Sequence, residues 1–498
     1  MATLRQFPTL VILVLAASGL MMVPALHAAR TENWLIARTF LYHGVFFAVM
    51  AVIVGLALAN RRPRNAARYH LTTLLLAYVA LPVVLGAPMA HLVRGLGMGG
   101  AYFEMLSCLT TTGATLFPSP RFLSETLHLW RGLVAWCGGL MILVAAFAVL
   151  APLNLGGFEV RDRDVGGAMR RRGGTVEETT ARLLRVTRAI APVYAVFTAV
   201  LALVLIAAGD RPFVAAMHAM GTLSASGVSS VGGPAGGRSG MIGEAAIGVF
   251  LLVAVSHRLL TFDLGRARLA LDDPQMRLML ISVLGVTALL FLRSFVGASD
   301  IDRQDNILAA ARAVWGSLFT VLSFLTTTGY ESRDWMTMQL WSNLPAPGVI
   351  LLAVAVMGGG IATTAGGVKL LRLFALYRHG VREMEVLIHP SSVWALGHGE
   401  NRISARGSRV AFVFLMLFLT SIAVAMLGLT ATGIEFERSL ALAVSGLTTT
   451  GQAAGALGHG NDYGDLNGAA RAILCAAMIV GRLEALVLIA LFNPSFWR

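Results

Sequence analysis

Four short polar segments recur in this chain, each ending in glycine and each following an apolar stretch. They read Ser-Cys-Leu-Thr-Thr-Thr-Gly at 107–113, Gly-Thr-Leu-Ser-Ala-Ser-Gly at 221–227, Ser-Phe-Leu-Thr-Thr-Thr-Gly at 323–329 and Ser-Gly-Leu-Thr-Thr-Thr-Gly at 445–451. We call them turn segments one to four. Their spacing of about a hundred residues is too long for a solenoid repeat. It predicts a duplicated membrane module, with four copies arranged around a central axis.

The composition is that of a membrane protein. Hydrophobic residues make up 56% of the chain and charged residues only 13%, whereas soluble domains average about 25% charged residues. Several apolar runs of about 20 residues are long enough to cross a bilayer as helices. The sequence therefore predicts an all-α polytopic membrane protein.

The net charge of +13 is unevenly distributed along the chain. Arginines cluster in alternate loops, near 61–68, 161–188, 258–277 and 378–409. Loops rich in Lys and Arg lie on the cytoplasmic side of a membrane. This pattern favours anionic membrane lipid, and not nucleic acid, as the partner of the charge.

The apolar runs and turn segments together predict a helix–pore loop–helix module four times around a central pore. A two-helix hairpin precedes the modules, giving about ten spanning helices. The expected divisions are the leading transmembrane hairpin 1–62, pore module one 63–152, a cytoplasmic loop 153–188, pore module two 189–268, pore module three 269–382 with an intramembrane gate loop, and pore module four 383–498.

The turn segments have the chemistry of a potassium-binding filter. A dehydrated potassium ion needs several oxygen ligands, which backbone carbonyls supply without a fixed charge. Glycine permits backbone angles at which successive carbonyls point the same way, and a Thr or Ser hydroxyl supports the turn or acts as a ligand. The alternative is that such segments only cap helices, but four copies with leucine in register disfavour it. The candidate filter residues are Thr111, Thr112, Gly113, Ala225, Ser226, Gly227, Thr327, Thr328, Gly329, Thr449, Thr450 and Gly451.

Further motifs, added to these segments, resemble a known family. They are Leu-Thr-Thr-Thr-Gly-Ala-Thr at 109–115, Leu-Thr-Thr-Thr-Gly-Tyr at 325–330, Gly-Gly-Gly-Ile-Ala-Thr-Thr-Ala-Gly-Gly-Val-Lys at 358–369, Gly-Arg-Leu-Glu at 481–484 and Asn-Pro-Ser-Phe-Trp at 493–497. Over nearly its whole length the chain resembles the Trk/Ktr/HKT superfamily of potassium transporters. It is most similar to the membrane subunit of the bacterial Trk system.

The resemblance implies a fourfold pseudosymmetric pore in one subunit of the bacterial cytoplasmic (inner) membrane. It also implies a homodimer and a cytoplasmic nucleotide-binding regulatory subunit. The permeant ligand would be potassium, with no covalently bound cofactor. Because all four segments keep glycine, the resemblance implies potassium selectivity; a less selective potassium/sodium transporter or an ion-coupled symporter is the alternative.

Two turn segments depart from the common pattern. Segment two has Ala225 where the others have threonine, which puts side-chain coordination by this module in doubt. Segment four is followed by Gln452, where the other three continue with Ala114, Val228 and Tyr330. We therefore expect an imperfectly symmetric filter.

A second candidate site interrupts the apolar run of module three. Its glycines and threonines are poor residues for a helix interior, and they are Gly358, Gly359, Gly360, Thr363, Thr364, Gly366 and Gly367. One interpretation is a close-packed glycine kink. The resemblance implies instead an intramembrane loop that obstructs the pore beneath the filter.

Two basic residues are candidate gate residues. Lys369 is the only lysine among 39 basic residues, and its compact ammonium differs from a planar guanidinium. We hypothesise that Lys369 holds the loop closed. Arg482 lies within an apolar run, where a charge should face the bundle interior; the family places an arginine of this motif beside the pore. An ion pair with Glu484 is the alternative, although residues two apart face different sides of a helix.

Acidic residues near the outer side could concentrate cations, or could lie on a solvated surface. The candidates are Glu104, Asp334 and Glu435. His218 before turn segment two is expected to be packed and not catalytic. No metalloprotease, nucleophile-elbow or cysteine-cluster motif occurs in the sequence, so we predict a transport protein and not an enzyme.

Overall fold

A computed structural model describes most of the chain, and every regular element in the described part is helical. The described residues are 7–58, 66–153, 155, 157–160, 176–255, 273–298, 306–335, 348–389, 405–458 and 463–484. Within these ranges there is no β-strand. The prediction of an all-α fold is confirmed.

The first part of the chain forms three helices. Helices α1 (Thr9–Leu20) and α2 (Met22–Arg30) follow one another directly, and α3 (Trp34–Leu58) packs against both. α1 also contacts α4 (Ala66–Leu92), which connects the hairpin to the rest of the bundle.

The remaining helices follow a recurring order: a long helix, a shorter helix that ends in a turn segment, and then a further helix. They are α5 (Gly97–Leu109), α6 (Glu125–Ala145), α7 (Val176–Ala207), α8 (Pro212–Leu223), α9 (Gly240–Leu251), α10 (Pro274–Ala298), α11 (Asn306–Leu325), α12 (Gly348–Met357), α13 (Leu370–Ile388), α14 (Ala405–Ala431), α15 (Phe436–Thr448) and α16 (Gly468–Leu483). Each long helix packs against the helix that enters the next turn segment, as α4 does on α5 and α7 on α8.

The turn segments end four of these helices. α5, α8 and α11 stop at the leucine of their segment, and α15 stops one residue after Leu447. The following threonines or serines favour local hydrogen bonds over helix continuation. The last residues of these helices, Leu109, Leu223, Leu325 and Thr448, are buried, so the four C-terminal ends lie inside the bundle.

Seven helical spans among the described residues are long and apolar enough to cross a membrane. Three shorter apolar helices are Gly240–Leu251, Ala310–Leu325 and Gly348–Met357. The expected count of about ten spanning helices stays a prediction, because seven spans qualify among the described residues and Ala310–Leu325 enters turn segment three. α9 ends at Leu251 and is followed by a 3-10 helix over Leu252–Ala254, and 256–272 lies outside the described residues.

The outward faces of the spans carry large apolar side chains. The side chains of Leu56, Leu203, Ile281 and Leu427 are 64–69% exposed. A helix face of this kind suits the hydrocarbon of a bilayer. Polar residues such as the turn-segment threonines are instead fully buried in the middle of the bundle.

Candidate functional site: a ring of four turns above a helix break

The four turn segments adopt the same backbone turn. Each has a non-glycine residue in the left-handed region, which few such residues adopt. These residues, with their φ angles, are Thr111 (57°), Ala225 (53°), Thr327 (57°) and Thr449 (56°). Tertiary structure has to support so unfavourable a conformation. Its recurrence at one position of every segment shows that the sequence repeat is a structural repeat.

Two hydrogen bonds also recur in every segment. The hydroxyl just before the left-handed residue donates to the carbonyl four residues earlier, at 2.8, 2.7, 3.0 and 2.8 Å for Thr110, Ser224, Thr326 and Thr448. The residue before the glycine donates its N–H to the first residue of the segment, at 2.8, 2.9, 2.9 and 3.0 Å for Thr112, Ser226, Thr328 and Thr450. Serine therefore replaces threonine in segment two without changing the turn.

Contacts between consecutive segments close a ring. A Cβ built on Gly113 would lie 1.9 Å from the carbonyl oxygen of Ser226, and one on Gly227 would lie 2.2 Å from that of Thr328. A Cβ on Gly329 would lie 3.1 Å from Cγ2 of Thr450, and one on Gly451 would lie 2.3 Å from the nitrogen of Ala114. Each glycine thus abuts the next segment, in the cyclic order one, two, three, four and back to one. No side chain fits between the segments at the first two glycines.

Turn segment four departs from the other three at its glycine. Gly113, Gly227 and Gly329 have φ angles of 74°, 63° and 75°, whereas Gly451 begins a 3-10 helix that runs to Gly455. The Gly451 N–H donates to the Thr112 carbonyl at 2.6 Å. The sequence marked segments two and four as atypical, and the backbone departure lies in segment four.

Ala225 in turn segment two forms a contact with the helix break. It is fully buried and clusters with Ala254 and Ala365. The position that carries threonine in the other segments is therefore apolar here and packs against the loop. Side-chain coordination by this residue is not available, as its methyl group indicates.

The loop 358–369 connects α12 to α13 and lies directly against the turn segments. Gly366 N–H donates to Thr327 Oγ1 at 2.8 Å, and Thr364 Oγ1 donates to the Leu223 carbonyl at 3.1 Å. A Cβ on Gly366 would lie 2.2 Å from the Thr448 carbonyl oxygen. The loop thus touches segments two, three and four.

The ends of this loop are drawn together. Val368 N–H donates to the Val356 carbonyl at 3.0 Å, and Lys369 N–H donates to the Met357 carbonyl at 3.1 Å. Gly358 and Gly367 have φ angles of 72° and 76°. A Cβ on Gly358 would lie 2.3 Å from the Gly366 carbonyl oxygen, and one on Gly367 would lie 2.7 Å from the Gly358 Cα. A simple glycine kink in one continuous helix does not describe this segment.

Lys369 and Arg482 bind neighbouring carbonyls of the loop. Lys369 Nζ donates to the Ala365 carbonyl, and Arg482 donates through one terminal nitrogen to the Thr364 carbonyl at 2.7 Å. Both side chains are buried, with 6% and 4% of their surfaces exposed. The positively charged side chains of Lys369 and Arg482 therefore bind the part of the loop that touches the turn segments.

Glu484 is engaged by a different arginine from the one considered in the sequence. Its carboxylate pairs with Arg372 at 2.5 Å, and the Arg372 guanidinium lies 3.7 Å from the ring centroid of Phe414. Sequence reasoning missed Arg372, although a basic residue so close to an apolar run was a usable signal. The motif at 493–497 lies outside the described residues.

The segment 157–160, which precedes α7, packs against the loop 358–369. A Cβ on Gly157 would lie 2.2 Å from Cγ2 of Ile361. Val160 clusters with Ile361, Leu371 and Ala411. The predicted cytoplasmic loop 153–188 thus contributes apolar contacts to the helix break, which its composition did not indicate.

On the opposite side of the ring, a cavity of about 410 Å³ opens above the turn segments. Its lining includes the last glycine of each turn segment, Gln452 and the exposed acid Glu331. Acidic groups at such an opening raise the local cation concentration. Of the acids chosen from the sequence, Glu435 is exposed and Asp334 is partly exposed.

Glu104 does not lie at the surface, contrary to both interpretations of the sequence. It is fully buried and pairs with Arg131 at 3.1 Å. It also accepts hydrogen bonds from the Leu116 N–H and from the Thr115 hydroxyl, the latter at 2.9 Å. Glu104 therefore fixes the chain just after segment one, because a buried carboxylate requires such partners.

Glu244 performs the equivalent task after segment three, and sequence reasoning missed it. It accepts hydrogen bonds from Ser332 Oγ and Arg333 N–H, both at 2.7 Å, and from Trp315 Nε1 at 2.9 Å. The signal was a single acid inside an apolar run, which marks an internal partner.

Asp210 organises the outer end of module two. It accepts hydrogen bonds from the N–H groups of Arg238 and Ser239 and from the Ser239 hydroxyl. Burial alone would raise the pKa of this carboxyl, but His218 and these donors lower the pKa to about 2. His218 is fully buried, and its ring binds the Ser229 hydroxyl at 3.0 Å.

Four helices whose C-terminal ends meet in one ring, within a bundle of apolar spans, define a membrane transport protein built around a central axis. Comparison with known proteins gives the same class. Residues 249–498 match the TrkH family, described as "Cation transport protein". This chain belongs to that family.

Three relatives extend the match over most of the chain. The Trk system potassium uptake protein TrkI of Halomonas elongata is 30% identical over 430 residues, covering 85% of this chain and 81% of the relative. The Trk system potassium uptake protein TrkH of Escherichia coli K12 is 28% identical over 493 residues, covering 98% of each chain. The crystal structure of the potassium transporter TrkH from Vibrio parahaemolyticus shares the fold, with a TM-score of 0.83, 24% identity and coverage of 99% and 100%.

Proposed function

We propose that this chain takes up potassium across the bacterial cytoplasmic membrane. The ion would pass through a selectivity filter formed by the twelve candidate residues of the four turn segments. The observation that carries the proposal is the closed ring of contacts from Gly113 through Gly227 and Gly329 to Gly451. Relatives over most of the chain are named potassium uptake proteins, which supports potassium as the transported substrate.

The loop 358–369 is the proposed gate of this pathway. It lies against three of the turn segments, and Lys369 and Arg482 hold its carbonyls. An ion that leaves the ring on this side meets the loop and two buried positive charges. Transport therefore requires the loop to move or its cationic contacts to loosen.

The proposed assembly is a homodimer with a cytoplasmic nucleotide-binding regulatory subunit. The names of the relatives refer to a Trk system, which supports the presence of further components. The chain itself is divided into the leading hairpin 1–62, the four pore modules and the loop 153–188. The contacts of Gly157 and Val160 with the loop 358–369 support a route by which a cytoplasmic partner acts on the gate.

The test is uptake of rubidium-86 into potassium-loaded liposomes that carry the purified protein. Potassium should block uptake and sodium should not. Equal competition by both ions would support the alternative of a less selective transporter, which Ala225 in segment two favours. A dependence on a proton or sodium gradient would identify a symporter. Absence of flux from folded protein, with and without the regulatory subunit, would contradict the proposal.

The filter itself is tested by Gly113→Ser. The new Cβ would collide with the Ser226 carbonyl oxygen and would sit at a φ of 74°. We expect the variant to lose discrimination between potassium and sodium by at least tenfold. Gly285→Ser, on α10 where a Cβ meets nothing within 4 Å, is the matched control.

A further inference from the structure

Turn segment four does not present its glycine carbonyl in the way that a fourfold ring requires. The Gly451 carbonyl accepts hydrogen bonds from Tyr463 Oη at 2.6 Å and from Ser445 Oγ at 3.3 Å. In segment one the corresponding serine, Ser107, donates at 2.7 Å to the carbonyl of Ala114, one residue further along. Segment four is therefore displaced by one residue at this level, and two hydroxyls occupy its glycine carbonyl.

The next side chain of segment four reaches across the mouth of the ring. Nε2 of Gln452 would lie 3.3 Å from a Cβ on Gly113 and 2.6 Å from one on Gly227. Its Oε1 would lie 2.8 Å from a Cβ on Gly329. One side chain thus contacts the glycines of all three other segments.

The amide of Gln452 is oriented by a hydrogen bond. Nε2 donates to the Gly227 carbonyl at 3.0 Å, and the reverse orientation would place two carbonyl oxygens against each other. Oε1 is buried and has no hydrogen-bond partner among the described residues. A buried acceptor left without a partner is unfavourable, so a cation at this position would be favoured.

We propose that Gln452 Oε1 is a ligand for the permeating cation at the outer mouth of the ring. It would supply the module-four oxygen that the engaged Gly451 carbonyl does not. An amide oxygen is neutral and resembles a backbone carbonyl, so it suits a monovalent ion of potassium size. The hydrogen bond to Gly227 makes the amide a fixed ligand. This inference rests on the proposed function, because it assumes that the ring binds the transported ion.

The first measurement is binding of potassium, rubidium and sodium to purified protein by calorimetry. The second is rubidium-86 uptake as a function of rubidium concentration. Gln452→Met keeps the length of the side chain and removes the oxygen. We expect potassium binding to weaken, and half-saturating rubidium to rise, by about tenfold.

Gln452→Glu keeps an oxygen at the same reach and should bind potassium within about threefold of the unaltered protein. If the methionine variant fails to fold, Gln452→Asn serves in its place, because it retracts the amide by one methylene and should weaken binding similarly. Thr420→Val, on the exposed face of α14, controls for expression and reconstitution.

The outcomes separate this inference from the proposed filter. If Gly113→Ser alters ion selectivity and Gln452→Met leaves binding and half-saturation unchanged, the filter stands and the ligand role of Gln452 is overturned. If Gln452→Met speeds uptake at unchanged affinity, Gln452 is an obstruction and not a ligand, which also overturns the inference. If neither Gly113→Ser nor any Gln452 variant alters ion binding or selectivity, the filter proposal itself fails.

Discussion

The hydroxyl of Tyr330 in module three donates to the carbonyl of Val228 in module two at 3.1 Å. Val228 corresponds to Ala114, whose carbonyl accepts from Ser107 within its own module. Module two has Gly221 in place of that serine, and a Cβ on Gly221 would lie 2.3 Å from the Tyr330 hydroxyl. A neighbouring module thus provides the hydroxyl that turn segment two lacks.

Removal of this hydroxyl should therefore loosen segment two. Tyr330→Phe leaves the buried Val228 carbonyl without its donor, at a cost of about 1–3 kcal/mol. We expect a lower thermal unfolding temperature and a several-fold loss of potassium-over-sodium discrimination in rubidium uptake. Tyr102→Phe, a partly buried tyrosine on α5, is the control. Unchanged selectivity and stability would show that the turn does not need the bond.

Lys369→Arg tests whether the gate requires an amine. The Lys369 ammonium binds the Ala365 carbonyl beside a cavity of only about 20 Å³, and a planar guanidinium has a different shape and donor geometry. We expect several-fold higher flux without regulator and a smaller response to it. Arg378→Lys on α13 is the control for the reverse exchange. Wild-type flux and regulation in Lys369→Arg would refute a special role for the amine.

Arg482→Ala should increase potassium flux. The change removes a buried positive charge and frees the Thr364 carbonyl from its 2.7 Å hydrogen bond. Both effects favour passage of a cation past the loop, and we expect an increase of about threefold to tenfold in rubidium uptake. Arg471 lies near the other end of the same helix, where it donates to the Gly464 carbonyl. The control variant Arg471→Ala should leave flux unchanged. Reduced or unaltered flux in well-folded Arg482→Ala would count against the gate role.

Glu104→Gln should destabilise the fold strongly. It leaves the Arg131 charge buried without its carboxylate, and loss of one partner of a buried pair costs about 3–5 kcal/mol. Thermal unfolding in detergent would measure the loss. The double variant Glu104→Gln/Arg131→Met should recover part of the stability, because no unpaired charge remains. Additive losses in the double variant would mean that the two residues act independently.

Asp210 predicts a specific pH dependence of stability. Its pKa is lowered to about 2 in the folded protein, whereas a free aspartate has a pKa of about 3.9. A lowered pKa stabilises the fold above pH 4, and this contribution is lost as the pH falls from about 4 to about 2. Asp210→Asn should be less stable than the unaltered protein at pH 6 by about 1–3 kcal/mol. The difference should shrink towards pH 3 in thermal unfolding, and an equal difference at both pH values would contradict the assignment.

The repeated part of this molecule was predictable from the sequence. Leucine in register four residues before each glycine located the ends of α5, α8 and α11. The glycines at 358–360 located the helix break, because glycine is unfavourable in a helix interior. These features are local, so a single chain contains the information needed to place them.

The contacts that hold the site together were not predictable in the same way. Arg372 and Glu484 pair across 112 residues, and Glu244 binds the chain beyond turn segment three across 88 residues or more. Hydrophobic periodicity does not identify which helices become neighbours. The sequence marked segment four as atypical only through Gln452, because its Thr-Thr-Thr-Gly is identical to that of two regular segments. The backbone departure at Gly451 itself is seen in the contacts with Thr112 and Tyr463.

The ring of turn segments closes where Gly451 meets Thr112 and Ala114. Thr112 and Ala114 belong to segment one and Gly451 to segment four, so three segments are synthesised before the one that closes the ring. A chain that ends before module four lacks both the partner of Gly329 and the residue that meets Ala114, so the turn segments form an open arc in place of a ring.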